Sequence, residues 1–383
     1  MDQNVREKVT TVLRELVAIP SYRHDEEIIL KYLVARFNRQ GISCRITSMD
    51  GKPLNLVAEI GKTGARRIIL NSHVDTVPAG DPALWTSDPL VPVERDGKIY
   101  GRGAEDAKGC LAAMIVAFET LAARPSLSYQ VVLMAVGAEE RGGLGTKLEV
   151  ANGMRADAAI IGESTGLIPQ IAHKGVLRLE VETIGKAAHA SDPDAGVNAI
   201  TAMAHVISAL DRLAADVRRR SESYTGNASL VMSTISGGTA LNVIPARCVI
   251  SIDRRVLPTE KEADVHEEIV KTVAAALPAG SAAKTEIRTV RFVAPSATAP
   301  DAPIVRAAEQ ASSRLLGKAV SAVGFSATCD MTYLVNGGQI PTVILGPGSI
   351  AVAHQADEYI PIDELVRAVP LYVNTVETWA NSK

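Results

Sequence analysis

Cysteine is scarce in this chain. The four in 383 residues (Cys44, Cys110, Cys248 and Cys329) lie far apart and form no CxxC pair, which argues against both a disulfide framework and a thiolate zinc site. Three sit in apolar or strand-like surroundings and read as small core residues. Cys329, beside Asp330, could instead lie near a site. Long hydrophobic runs are missing too: the longest, from Cys110 to Phe118, ends at Glu119, well short of the roughly 20 residues that span a bilayer. It reads as a buried helix. Charges at Asp2, Arg6, Glu7, Lys8, Arg14 and Glu15 break any apolar region of a signal peptide, so a cytoplasmic protein with no membrane partner is expected. Nor does one sign of charge dominate. Forty basic against 43 acidic residues leave a net charge of −3, which supplies no field for a polyanion, and nucleic acid is not an expected partner.

What is present is an ordinary globular composition without repeats or low-complexity tracts, long enough for two domains. Val5, Val9, Leu13, Leu16 and Val17 recur at helical spacing, and a second helix is expected near 26–40, closed by Gly41. Short apolar runs near 54–60, 67–72, 130–136 and 158–161 then read as strands around a helix at 107–124. This is the alternation of an α/β sheet buried on both faces. From Lys174 the texture changes to alternating strands near 176–182, 229–235, 247–254 and 284–292, with helices near 197–217 and 260–277. The sequence therefore predicts an inserted α+β domain at 175–293 with one solvated face, and an outer domain made of 1–174 plus 294–383. The proline-rich stretch Ala294–Pro303 serves as the re-entry connection, since its prolines resist helix and sheet.

Chemistry concentrates at strand ends of the outer domain. The run Arg67–Asp75 ends in His73-Val74-Asp75, where alternation points 73 and 75 to one face, so Asp75 can accept the second ring N–H of a metal-bound His73. Asp106 lies in the glycine-rich turn Gly101–Gly109; it could cap the following helix or bridge two metals at the sheet's edge. Glu139-Glu140 follows the strand 130–136, and two adjacent carboxylates repel unless a cation or a shared proton relieves them; a solvated turn is the alternative. The neighbouring Gly142–Lys147 lacks the spacing of a phosphate loop. Glu163 follows the strand 158–161, and His354 and Glu358 lie just after 343–349. Two histidines and four or five carboxylates at separate strand ends read jointly as a metal site.

Taken together, Ser72–Asp75, Gly101-Arg102-Gly103 to Asp106, Glu139-Glu140, Gly162-Glu163 and Ala353-His354 to Glu358 resemble the M20 metallopeptidases. That family includes acetylornithine deacetylase, succinyl-diaminopimelate desuccinylase, aminoacylase and carboxypeptidase G2. Within the inserted domain, Gly185–Ser191 and Gly237-Gly238 to Asn242–Pro245 resemble it as well. The resemblance implies a zinc-exopeptidase-like α/β catalytic domain with a mixed sheet, carrying a ferredoxin-like lid and dimerisation domain. It implies two Zn²⁺ per chain, with Co²⁺ or Mn²⁺ also compatible with such donors. Asp106 would bridge them, His73 and Glu163 completing one metal's ligands and Glu140 and His354 the other's. Glu139 would be the general base, and Asp75, beside His73, a further catalytic residue. His189 would stabilise the oxyanion, supplied by the partner of a homodimer. Asn242 would lie near the substrate carbonyl, Arg255 (or its neighbour Arg254) would hold a substrate carboxylate, and Gly346 and Gly348 would form the pocket rim. A cis peptide after Asp106 is also implied. His24, His173, His205 and His266 match no functional position and are expected to be surface or packing residues, His173 bordering the hinge. The expected activity is hydrolysis of the amide bond of an N-acyl amino acid, of deacetylase or desuccinylase type. A metallo-carboxypeptidase or dipeptidase on the same scaffold is the alternative, and a non-catalytic binding protein a more distant one.

Overall fold

The computed structural model describes residues 3–22 and 26–382; His24 lies outside them. The chain forms two compact units, one of residues 1–171 with 297–383 and the other of 172–296. Eight α-helices are described: α1 (Gln3–Val17), α2 (Glu27–Asn38), α3 (Lys108–Ala122), α4 (Leu144–Ala151), α5 (Ala199–Val217), α6 (Glu262–Ala274), α7 (Pro303–Leu316) and α8 (Ile362–Ala380).

In the first unit the strands Cys44–Met49, Lys52–Gly61, Gln130–Val136, Arg67–His73, Ala158–Ile161 and Thr342–Ile344 lie side by side in that order. The first three pair antiparallel and the rest parallel, making a mixed sheet. Helices α1, α3 and α8 pack together. Helix α3 is buried nearly all round, as an apolar helix without a polar face must be; Phe118 meets Phe37 of α2 edge to face at 5.8 Å. Another apolar layer joins Ile69, Val132, Met134, Ile161 and Ile344 to Phe325, Met331 and Leu334.

The second unit follows the strand–helix–strand–strand–helix–strand order of a ferredoxin-like arrangement. Its antiparallel sheet runs Ser229–Gly237, Arg247–Val256, Gly175–Ile184, Lys284–Val293. One face packs on α5 and α6 through Leu179, Val181, Ile250, Ile252, Met203 and Val206. The other carries ion pairs such as Arg178 with Asp253 (3.1 Å) and Arg288 with Glu180 (2.6 Å). The stretch Ala294–Pro303 was expected to avoid regular structure, yet Ser296–Ala297 forms a short strand. Its prolines flank those two residues, leaving their backbone N–H groups free to pair.

Candidate metal centre

The strand Arg67–His73 lies between Gln130–Val136 and Ala158–Ile161, both parallel to it. Its carboxyl end is therefore a switch point, where open α/β sheets gather ligands. Four side chains arrive there from strand ends: His73 closes its strand, Glu139 and Glu140 follow Val136 after a two-residue turn, and Glu163 follows Ile161 across Gly162. Asp106 comes from the loop before α3, and His354 from the loop before Tyr359–Pro361.

His73 Nε2 lies 3.0 Å from Asp106 Oδ1 and 3.9 Å from Glu163 Oε1. His354 Nε2 lies 3.1 Å from Asp106 Oδ2 and 2.9 Å from Glu140 Oε1. Two groups of three ligands result, His73–Asp106–Glu163 and Asp106–Glu140–His354, each with its donor atoms within 4.8 Å of one another. They share Asp106, one carboxylate oxygen facing each group. The peptide from Asp106 to Ala107 is cis. Asp106 makes no cap on α3, whose N-cap position is Ala107 without a side-chain bond.

Electrostatics point the same way. Burial, with the charge of Asp330, pushes Glu139 well above the usual carboxylate range, and burial with the charge of Asp106 does the same to Glu163. Burial works against a charged His73, but the Asp106 hydrogen bond and the charge of Glu163 lift it well above an ordinary imidazole. His354 is pushed up to about 10 by its bonds to Asp106 and Glu140. Burial would raise Asp106, but the bonds from His354 and His73 outweigh it and hold its carboxyl below the usual range. Such a crowd of carboxylates tolerates ionisation only beside positive charge. Imidazole nitrogens and carboxylate oxygens in two sets sharing one carboxylate are a donor set that fits a pair of divalent cations.

Asp75 departs from its expected contact. His73 Nδ1 donates to the backbone carbonyl of Asp75 at 2.8 Å, while the nearest Asp75 carboxylate oxygen is 3.7 Å away. The carboxylate accepts instead from the backbone N–H groups of Glu139 (3.0 Å) and Glu140 (3.2 Å). Two converging amide donors satisfy a buried carboxylate better than one shared ring N–H, so Asp75 braces the Glu139-Glu140 turn.

Gly346 and Gly348 follow the strand Thr342–Ile344 in the same unit. Gly346 N–H donates to Thr165 Oγ1 at 3.1 Å, two residues beyond Glu163. A Cβ at Gly348, whose φ is +84°, would overlap the Glu105 carboxylate, so only glycine fits there. In the second unit, His189 and Asn242 are neighbours: His189 bridges to Val243, and Ala190 N–H donates to the Asn242 carbonyl at 3.0 Å. Both are exposed. Strand alternation separates the two arginines: Arg254 is fully buried and bonded to Glu260 at 2.6 Å, leaving Arg255 on the open face beside Asp253 at 2.7 Å.

A protein-family model described as peptidase family M20/M25/M40 matches residues 69–378. The chain is 35% identical over 378 residues to an acetylornithine deacetylase of Myxococcus xanthus, covering 95% of each chain. The chain belongs to peptidase family M20/M25/M40. It is a metallopeptidase-family hydrolase of amide bonds. Its fold is similar to that of an M20 metallo-carboxypeptidase of Sulfolobus solfataricus (TM-score 0.78, 20% identity, 99% of this chain and 100% of that one). It is also similar to that of a dinuclear metal binding peptidase of the M20 family from Bacillus subtilis (TM-score 0.75, 18% identity, 98% of each chain). No described helix is long and apolar enough to cross a membrane.

Some side chains take roles other than those read from the sequence, and Glu358, counted there with the metal-site carboxylates, joins neither ligand group. Glu358 is buried and pairs with the Arg102 guanidinium, and its Oε1 accepts the N–H groups of Glu105 (2.9 Å) and Asp106 (3.1 Å). It thus holds the backbone that carries the shared carboxylate. Lys108 is buried, with its Nζ 2.8 Å from the Ile19 carbonyl, and burial pulls it down to about 7. Burial likewise pushes Glu105 up to about 9 and Asp330 up to about 6. The signals available were Arg102 in Gly101-Arg102-Gly103 and Glu358 after His354, but nothing local pairs them. His173 is buried, donating Nδ1–H to the Lys174 carbonyl at 2.9 Å; its Nε2 has no partner.

Proposed function

We propose that the chain hydrolyses the amide bond of an N-acyl amino acid, as a dinuclear-metal deacylase of the deacetylase or desuccinylase type. The observation that carries this is the sharing of Asp106 between His73–Glu163 and Glu140–His354. These five residues would hold two cations, Zn²⁺ being the best match to the mixed imidazole and carboxylate donors. When bound, such a pair supplies an acidified water and polarisation of the scissile carbonyl. Glu139 takes the attacking water's proton and delivers it to the leaving amine nitrogen. Its half-buried position and like-charged neighbours favour that role, since both raise its proton affinity. Asp75 keeps the Glu139 backbone in place. His189 and Asn242, adjacent in the second unit, act on the developing oxyanion. Arg255 binds the substrate carboxylate through its fork of donors, and Gly346 and Gly348 line the pocket rim.

Relatives named acetylornithine deacetylase at 35% and 32% identity support deacylation. Peptidase action remains the second reading, favoured by the fold's likeness to a metallo-carboxypeptidase. A homodimer through the second unit is supported by its edge strand Ser229–Gly237, where Val231 is 47% and Ile235 60% exposed. The balanced charge and the bacterial relatives favour a cytoplasmic location.

The test is a panel of N-acetyl, N-succinyl and N-formyl amino acids and dipeptides offered to the zinc-reconstituted protein, with Glu139→Ala as control. Acylated amino acids should be cleaved by the parent and spared by the control. Cleavage of dipeptides alone would select the peptidase reading. No turnover with two metals bound would exclude both.

A further inference from the structure

The turn that carries Glu139 and Glu140 is held from outside as well as by its own backbone bonds. Ala138 has φ +60°, and Gly142 and Gly143 have φ +109° and +67°; a residue with a Cβ is disfavoured in that region. Ala138 carries that cost, and contacts from outside the turn help to meet it. One limb is held by Asp75 at the Glu139 and Glu140 N–H groups, and Asn55 Oδ1 accepts Gly137 N–H at 3.2 Å. The other limb is held by a segment distant in sequence. Tyr333 donates its hydroxyl hydrogen to the Gly142 carbonyl at 2.6 Å. A Cβ at Gly143 would overlap both the Tyr333 ring and Asp330 Oδ1, so the glycine lets the two side chains close on the backbone. Gly142 and Gly143 in turn donate their N–H groups to the carbonyl of Glu139 itself, at 2.8 and 3.0 Å. Asp330 is fixed in its own right: its Oδ2 accepts the Thr146 hydroxyl at 2.6 Å, and Thr146 Oγ1 accepts Asn71 Nδ2 at 2.8 Å. Tyr333 opens a π-helical turn, Tyr333–Gly337, a conformation often found at functional sites.

We propose that Tyr333 is a positioning residue for the Glu139–Glu140 pair, its hydroxyl clamping the glycine limb of their turn while Asp330 backs the same limb. The inference rests on the proposed roles of Glu139 and Glu140. Because both residues ride on one turn, loosening it weakens one cation group and misaims the base, whereas the His73–Asp106–Glu163 group, carried by other segments, is untouched.

The test compares the full chain with Tyr333→Phe, and with Thr375→Val as control. Thr375 donates a buried hydroxyl to the Leu371 carbonyl at 2.8 Å on α8, outside the site. Metal-stripped proteins are titrated with zinc, and the equilibrium belonging to the second group is identified as the one that Glu140→Gln removes. Tyr333→Phe should weaken that equilibrium about fivefold, the factor of one ordinary hydrogen bond, and leave the other unchanged. In the zinc-loaded enzyme kcat should fall about tenfold or more with KM within about twofold, as for a misplaced catalytic group. Zinc binding indistinguishable from Thr375→Val overturns the proposal, as does equal weakening of both equilibria, which would mean general loosening. If the parent chain cleaves no panel substrate, the hydrolase reading fails, and the zinc titration still decides the role of Tyr333.

Discussion

Truncating Glu358 should separate stability from catalysis in this fold. Its side chain is 1% exposed and that of Arg102 is 4% exposed, so Glu358→Ala leaves a buried guanidinium without its partner. Arg102 keeps a long 3.4 Å contact to the Ala79 carbonyl and a place over the Trp85 ring at 5.1 Å, neither replacing a carboxylate, and its Nε has no partner. Breaking one side of a buried pair costs about 3–5 kcal/mol. The two freed N–H groups of Glu105 and Asp106 contribute to the same loss and are not added to it. For a unit of this size the loss corresponds to roughly 10 °C in Tm. The Glu358 carboxyl nevertheless sits above its ordinary range, burial outweighing the Arg102 charge, as expected where desolvation offsets most of the attraction in a buried pair. Replacing both partners, as in Arg102→Met with Glu358→Met, should therefore recover most of the Tm. Activity should not recover, because neither methionine accepts the Asp106 N–H that fixes the shared carboxylate. Thermal melts of the three proteins, paired with kcat/KM at 20 °C under saturating zinc, give the answer. A Glu358→Ala protein that melts within about 2 °C of the parent would refute the energetic argument. Full activity in the double variant would refute the positioning one.

Three further outcomes are expected. His173 is buried neutral and held down to about 4, chiefly by burial, against about 6.5 when unfolded. Between those values the unfolded chain binds the extra proton, so stability falls as pH is lowered through that window, by about 2 kcal/mol from pH 7 to 5. Urea unfolding should show His173→Phe losing less than the parent over that interval by this amount; parallel losses would mean the ring is accessible to protons. Zinc added to metal-stripped protein at about 100 times each dissociation constant should stabilise by about 2.7 kcal/mol per site, read as a rise in Tm; no rise would argue that the donor sets do not bind zinc. His189→Ala should lower kcat steeply with two metals retained, as a residue acting on the oxyanion would. Metal analysis showing loss of an ion would instead make it a ligand or its support.

The legible part of this molecule is what short-range pattern encodes. Apolar runs such as Ile68-Ile69-Leu70 and Val131-Val132-Leu133 form neighbouring parallel strands, and the polar residues that follow such strands come out at one edge of the sheet. For that reason His73, Glu139, Glu140 and Glu163 could be singled out before any contact was known. Strand parity also separates Arg254 from Arg255 in principle, but which parity faces the helices depends on the core that α5 and α6 build.

Side-chain partnerships were decided by tertiary structure. The expected contact of Asp75 with His73 followed from alternation along one strand, yet the carboxylate turned to the N–H groups of a segment 64 residues away. Glu358 and Arg102 are 256 residues apart, and Tyr333 meets Gly142 across 191. A chain's local pattern fixes which residues are buried or extended, because those depend on each residue's own φ, ψ and polarity. Hydrogen-bond partners depend on which distant backbone groups are left unpaired once the sheet and helices have closed. That deficit exists only in the assembled fold, and it is what directs Asp75, Glu358 and Tyr333 to the loops that carry Asp106, Glu139 and Glu140.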